Sequence, residues 1–455
     1  MKRLFTYFVV LLLPVMHVFA VGNVLYVSTD GTGDGSSWAN ASSLTAAADA
    51  ARAMEVKPEI WVKKGTYVFT DSINFDYLLI YGGFNGDETT LTERNWATNV
   101  TIFDGNGMYS LLRNSVGGTR NTTSVPSILD GVIVQNGLSP LANNGGAMII
   151  NNGAIVRNCI FRNNTTQNSK HGAAIHCNFS TNIYIENCLF TNNTSSGNGG
   201  AIQIGGGTTV TVRSCTFVNN SAVKGGAICV AVDGLTGSSL NLYNSIAYNN
   251  LHGGTAYESY SQNSGLNKGG IIISKHSAVE STSTKFTTDG NDVNHLVLSR
   301  TVVPGFVAPA TVIGKGTNET DITAINNASY RLLKTSPCVD KGLNSEATVE
   351  NIPYDLDHTT RIFADYVDMG AYECVYSPDQ LFEYPSDANF KAHIVDNELK
   401  VFGASKGEKI QLFDVQGKVL KTVIVSEDDE VATFSLLYKG VYLVAAQNKV
   451  IKVNY

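Results

Sequence analysis

Charge is scarce in this chain. Lys, Arg, Asp and Glu make up 16% of its 455 residues, and the formal net charge is −7. So few cations form no basic patch, which argues against nucleic acid as a partner. Long apolar runs are absent after residue 20. None approaches the roughly 20 residues that a membrane span needs, so no transmembrane span is expected in the mature chain. Acids are scarcest in the middle: between Gly131 and Asn250 only Glu186 and Asp233 carry a carboxylate. Glycoside hydrolysis normally wants two carboxylates on one surface. A calcium-dependent lyase wants a carboxylate cluster and a basic residue. That stretch offers neither, and no catalytic residue is assigned. The seven cysteines are an odd number, so at least one has no partner within the chain.

What is present begins with an address. Lys2 and Arg3 precede the apolar run "LFTYFVVLLLPVMHVFA", which ends in Val18-Phe19-Ala20. Residues 1–20 read as a secretory signal with cleavage after Ala20, since Pro14 and the shortness of the run argue against a span.

A repeat follows. "RNCIFRNN" starts at Arg157, "ENCLFTNN" at Glu186 and "RSCTFVNN" at Arg213, with a weaker copy, "YNSIAYNN", at Tyr243. Cys159, Cys188 and Cys215 are 29 and 27 residues apart, and Ser245 holds the same place 30 residues later. A second motif, "GGAMII", "GAAIHC", "GGAIQI" and "GGAICV", starts at Gly145, Gly172, Gly199 and Gly225. Such self-similarity means stacked supersecondary units. The segments are short, rich in Ile, Val, Thr and Phe, and alternate with period two between Gly and Asn clusters. Helical periodicity is missing from them. The predicted fold is therefore all-β: a right-handed parallel β-helix with three strands per coil and about 27 residues per coil, rungs stacked at about 4.8 Å.

The columns of that ladder predict residue roles. Cys159, Cys188 and Cys215 form an inward stack of free thiols beside Phe161, Phe190 and Phe217. Ile202 and Ile204 face one way, Ala201 and Gln203 the other. Paired glycines supply positive φ at tight bends. The Asn pairs at 163–164, 192–193, 219–220 and 249–250 serve left-handed turns and bond to one another in ladders. The β-helix is expected over 21–375, with a helix at Leu44 to Met54 capping its first coil. A Pro-containing linker, 376–387, leads to a small antiparallel β-sandwich over 388–455, where strands such as "KIQLFDV" and "GVYLVAAQ" alternate.

Candidate site residues are few. Glu186 shares an outward column with Arg157 and Arg213, either as an ion-pair ladder or as a surface for an acidic sugar. Tyr184 adds a ring for sugar stacking. His176 is placed outward beside Gln203 and near His171, as a surface polar residue. Asp340, Asp355, Asp357 and Asp368 are weak calcium candidates, since turns use Asp as readily. No other cofactor is expected. Cys338 and Cys374 are the candidate disulfide.

Four resemblances attach to quoted residues. "YVSTDGTGDGSSWANA…IWVKKGTYVF…YGGFNGDETTLTERNW…TIFDGNG" resembles the N-terminal coils of bacterial pectate-lyase-like β-helix proteins. The "GGAI" rungs resemble polymorphic outer-membrane protein repeats. "SPCVDKG…YDLDHTTRIFADYVDMGAYE" (Ser336 to Glu373) is similar to the closing segment of bacterial surface proteins with a variable anchoring module; these commonly carry "DLDG", and His358 stands in place of that Gly. The tail, in "GEKIQLFDVQGKVL", "LYKGVYLVAAQ" and "KVIKVNY", resembles the C-terminal sorting domain of the type IX secretion system of Bacteroidetes. The resemblances imply a protein that passes through the periplasm and is secreted or held at the outer-membrane surface, with the type IX machinery as a partner. They imply an adhesin-like or glycan-binding protein with a glycan or host-surface ligand. A polysaccharide lyase or glycoside hydrolase, and a structural spacer, are the alternatives.

Overall fold

The computed structural model describes residues 24–107, 110–114, 126–139, 143–180, 182–233, 236–253, 255–256, 260–262, 271–280, 286–288, 296–299, 301–347, 352–363, 365–375, 391–395, 398–413, 419–427, 431–435, 441–446 and 449–454. The signal segment with Ala20 and the linker 376–387 lie outside the described residues. The chain divides into two compact units, parting after Cys374.

Among the described residues the first unit is built from three parallel sheets, of ten, seven and nine strands in that order. One coil contributes one strand to each. Ala154–Arg157 lies in the first sheet, Ile160–Arg162 in the third and Ile175–Cys177 in the second, before Ile183–Glu186 returns to the first. Successive coils pair in strict register, for example Ile155 with Tyr184 and Phe161 with Phe190. Period-two alternation then sends every second side chain into the lumen, where one continuous apolar core runs from Leu25 to Val279. This is a parallel β-helix.

The lumen is filled column by column. Phe161, Phe190 and Phe217 stack face to face at 5.0 and 4.8 Å, almost parallel. Isolated rings prefer offset or edge-on contact, so the rung register imposes this geometry. Cys159, Cys188 and Cys215 are fully buried free thiols at the corner between the first and third sheets. The Cys188 amide donates to Cys215 Sγ at 3.4 Å, and the Cys215 amide to Ser245 Oγ at 3.1 Å. Asn164, Asn193, Asn220 and Asn250 form a buried amide ladder in which each Nδ2 donates to the next Oδ1 at 2.9 Å. Ala201 corrects one expectation: it lies in the core cluster at the bend, while Gln203 faces out. The stack also runs two rungs further than its motif suggested, since Ser239–Tyr243 pairs in full register with Ile271–Lys275, and Ile272 to Ser274 pairs in turn with Phe286–Thr288.

At the N-terminal end the helix Leu44–Ala53 is capped by Ser43, whose side chain accepts from the Ala46 amide. Its buried face, Leu44, Ala47, Ala48 and Ala51, belongs to the solenoid core.

The closing segment behaves differently from its label. It does not end the coil stack but folds back as a strap along the third sheet. An apolar row runs along the outer face of that sheet: Leu189, Val218, Ile246 and Ala278 are buried, together with strap residues such as Phe306, Leu332, Leu356 and Met369. Leaving such a row in water would forgo about 25 cal/mol per Å² of apolar surface, and this draws the strap down. It reaches back to Trp96, whose indole N–H donates to the Asp355 carbonyl at 3.3 Å.

The second unit holds two antiparallel sheets among its described residues. Lys391–Val395, Glu398–Phe402 and Ala432–Ser435 form one; Val419–Ile424, Lys409–Phe413, Val441–Ala446 and Lys449–Asn454 form the other. Their inner side chains, among them Leu399, Ile410, Leu412, Phe434 and Val444, share one core. It is a small sandwich.

Candidate functional site

The three sheets differ in what covers their outer faces. The strap covers the third. On the second, the outward row Ile149, His176, Gln203 and Cys229 is in register and buried. Before each of these strands a glycine at φ +63 to +72, namely Gly145, Gly172, Gly199 or Gly225, curls the turn against the strand it precedes. A side chain at any of them would strike the carbonyl three residues on. His176 is therefore no surface residue: it is 8% exposed, and Asn144 Nδ2 lies 3.2 Å from its Nε2. Burial, with His171 adding to it, pulls the imidazole down to about 3, so it stays neutral.

The first sheet's outer face is partly open: Trp61, Tyr81, Asp130 and Glu186 are buried in it, while Arg157, Arg213, Tyr243 and Lys275 are half-buried. One outward column reads Tyr26, Trp61, Tyr81, Asp130, Arg157, Glu186, Arg213, Tyr243 and Lys275, each paired with the next. The neighbouring column includes Leu79, Ile128, Ile155, Tyr184, Thr211 and Asn241. Apart from Tyr184, which is 38% exposed, these six side chains are half-buried.

Charges alternate along the first column. Asp130 is buried between Arg94 at 2.7 Å and Arg157 at 2.6 Å. Burial opposes its ionisation, but the two guanidinium groups outweigh that and hold its carboxyl below the usual range. Glu186 pairs with Arg213 at 3.3 Å, and burial lifts its carboxyl above the usual range against the pull of Arg213 and Arg157. Arg213 also binds Glu346 of the strap at 3.0 Å and lies over the rings of Tyr184 and Tyr243, at 5.8 and 5.6 Å. Arg157, Glu186, Arg213 and Tyr184 thus share one face, and His176 stands on another.

Three charged members of this face escaped the sequence reading: Arg94, Asp130 and Lys275. Asp130 occupies the motif position of Arg157 one rung earlier, in "ILDGVIV", so extending the alignment by a coil would have found it. Arg94 comes from a loop outside the repeat, and no spacing points to it.

The calcium candidates are engaged otherwise. Asp355 accepts the amides of Asp357, Thr359 and Glu373 at 2.8–2.9 Å, and Asp368 those of Asp340 and Cys374 at 2.7 and 2.6 Å. Asp357 pairs with Arg331. Among the described residues no three His, Cys, Asp or Glu side chains are grouped to hold a metal. Cys338 and Cys374 are free thiols, not the expected disulfide. Both serve as small apolar groups in the cluster under the strap, where burial pushes their thiols up to about 12 and about 11. Among the described residues no helix is long and apolar enough to cross a membrane.

In sequence, residues 187–205 and 214–231 match the Chlamydia polymorphic membrane protein repeat. No curated protein matches the chain. Among solved structures the chain is similar to the crystal structure of pectate lyase Pel9A, with 15% identity, a TM-score of 0.34, and coverage of 77% of this chain and 96% of that one. At that similarity the β-helix rests on the strand pairing itself. The matched residues hold the third- and second-sheet strands of two coils and stop short of Tyr184, Glu186 and Arg213 on the first sheet.

Proposed function

We propose that the chain is a non-catalytic surface β-helix that binds a glycan or host-surface ligand along the open face of its first sheet. One observation carries the reading: half-buried Arg213 lies over the rings of exposed Tyr184 and half-buried Tyr243 on the first sheet's outer face, and each carboxylate of that face, Asp130 and Glu186, is held by arginine. Neutralised acids suit a binding face and leave no free pair for hydrolysis. Tyr184 and Tyr243, flanking Arg213, supply ring faces with a fixed donor between them. A glycan array probed with the whole chain and with Arg213→Ala tests this. Binding that the variant weakens supports it. Release of reducing ends or unsaturated products from a polysaccharide panel would replace it with the lyase or hydrolase reading.

The proposal extends to location. The secretory signal and the C-terminal sandwich support export by the type IX route to the outer-membrane surface, with the sandwich as the address.

A further inference from the structure

Trp96, from the loop after the strand Leu79–Phe84, meets two strap residues more than 250 positions away in sequence. Tyr354 and His358 stack at 4.2 Å and 15°. Trp96 meets His358 edge-on at 4.7 Å and lies 6.4 Å from Tyr354. Tyr354 is 36% exposed, and the other two rings are half-buried.

The backbone at His358 shows that this ring is kept against resistance. Asp355 to His358 forms a tight turn, with the His358 amide donating to the Asp355 carbonyl at 3.1 Å and the Asp355 amide to the Thr359 carbonyl at 2.8 Å. The turn ends with His358 at φ +62, the left-handed position where such a loop calls for glycine. Strain of this kind persists where surrounding structure or function demands the side chain. The strap does not need the imidazole to stay attached here: Trp96 already donates to Asp355, and Asn187 Nδ2 to the Tyr354 carbonyl at 3.1 Å.

The charges around the rings cancel. Arg94, 5.0 Å from the Trp96 ring, is paired with Asp130, and Asp357 is paired with Arg331. Asp355 is filled by amides. Burial, with Arg94 adding to it, holds His358 below its usual range and so neutral at pH 7. Clustered neutral rings at a solvent edge match the apolar C–H face of a pyranose whose hydroxyls are equatorial.

We propose that Trp96, Tyr354 and His358 form a stacking subsite for a neutral β-linked pyranose, where the strap meets the N-terminal coils. Through Arg94, which contacts both the Tyr81 ring and the Trp96 ring, the subsite joins the charge column of the open face. The inference rests on the glycan-binding reading above and names its sugar class and its anchoring rings.

The test titrates the full chain with cellohexaose and with chitohexaose, following tryptophan fluorescence and calorimetry. Of the three tryptophans, Trp38 and Trp61 pack together in an N-terminal aromatic cluster, so Trp96 reports the subsite. At least one of the two sugars is expected to bind and shift the emission. His358→Gly, which suits the left-handed backbone, should weaken that sugar about tenfold without lowering Tm. Binding of neither sugar, or unchanged affinity in His358→Gly, overturns the subsite. Array binding that depends on Arg213 but not on His358 sinks the subsite and spares the open face; no glycan binding at all sinks both.

Discussion

Asn192 and Asn193 are neighbours in sequence and opposites in environment. Asn192 holds φ +58 and sends its amide outward to the strap carbonyls of Val312 and Gly314, at 2.6 and 3.0 Å. Asn193 sends its amide inward, donating to Asn220 Oδ1 and to the Phe161 carbonyl. The same division holds at 219–220, where Asn219 reaches the Ala310 carbonyl and Asn220 continues the ladder. Asn193→Ala should cost about 3 kcal/mol, because it strands buried donors and acceptors on both flanking rungs. Asn192→Gly keeps the left-handed turn and should cost about 1 kcal/mol, with faster hydrogen exchange confined to residues 310–316. Equal loss of coil protection in both variants would contradict the division. The thiol column gives a parallel contrast. Cys188→Ala leaves a small cavity worth about 1 kcal/mol, whereas Cys188→Asp buries a group with no place for its charge and should cost several. Urea midpoints of the pair measure the difference.

The strap is an element with its own electrostatics. Its centre is Arg361, fully buried, which contacts Glu373 at 3.4 Å and donates to the Gly370 carbonyl. Around it burial pushes Asp355 and Asp368 up to about 6 and Glu373 up to about 8, against the pull of Arg361. Each of these groups holds its proton more tightly folded than unfolded, so the folded chain binds more protons between about pH 4 and pH 8. Stability from this group should be complete below that window and should fall as pH rises through about 6 and then 8. Urea midpoints measured from pH 5 to pH 9 should decline, and Glu373→Gln should flatten the upper part of the decline. A midpoint rising with pH would refute the sign. At the strap's tip, the left-handed backbone of His358 costs roughly 1–2 kcal/mol and its ring contacts return about 0.5–1.5 kcal/mol. His358→Gly should therefore leave stability within about 1 kcal/mol of the native chain, read by thermal unfolding.

At the scale of the whole molecule the chain is two cores, one ending at Cys374 and one built on Leu399, Ile410 and Phe434. Separate cores predict separable folding. Deleting Asn389 to Tyr455 should leave a folded β-helix in the periplasm, and the tail, placed behind a signal peptide, should carry a neutral reporter to the surface of a Bacteroidetes host. Cell fractionation decides; surface delivery of the truncated chain would remove the address reading. The coils themselves were legible from residues alone, because an in-register stack makes each rung repeat its neighbour's environment. Cys159, Cys188 and Cys215 occupy equal places in the fold, and so recur in the sequence. Asp130 and Lys275 were lost only where the motif around the rung thins. The strap's course along the third sheet, and the partners of Arg94 and Trp96, were not legible at all. Repetition constrains what lies within a coil, whereas the strap meets each coil at a different point, through contacts such as Trp96 with Asp355 and Asn187 with Tyr354. Those pairings span more than 160 residues and leave no period to read. The sequence by itself thus determined the β-helix, its columns and the separate tail; only the tertiary structure decided which of the three faces stays open, because that depends on where a non-repeating segment finds apolar surface to cover.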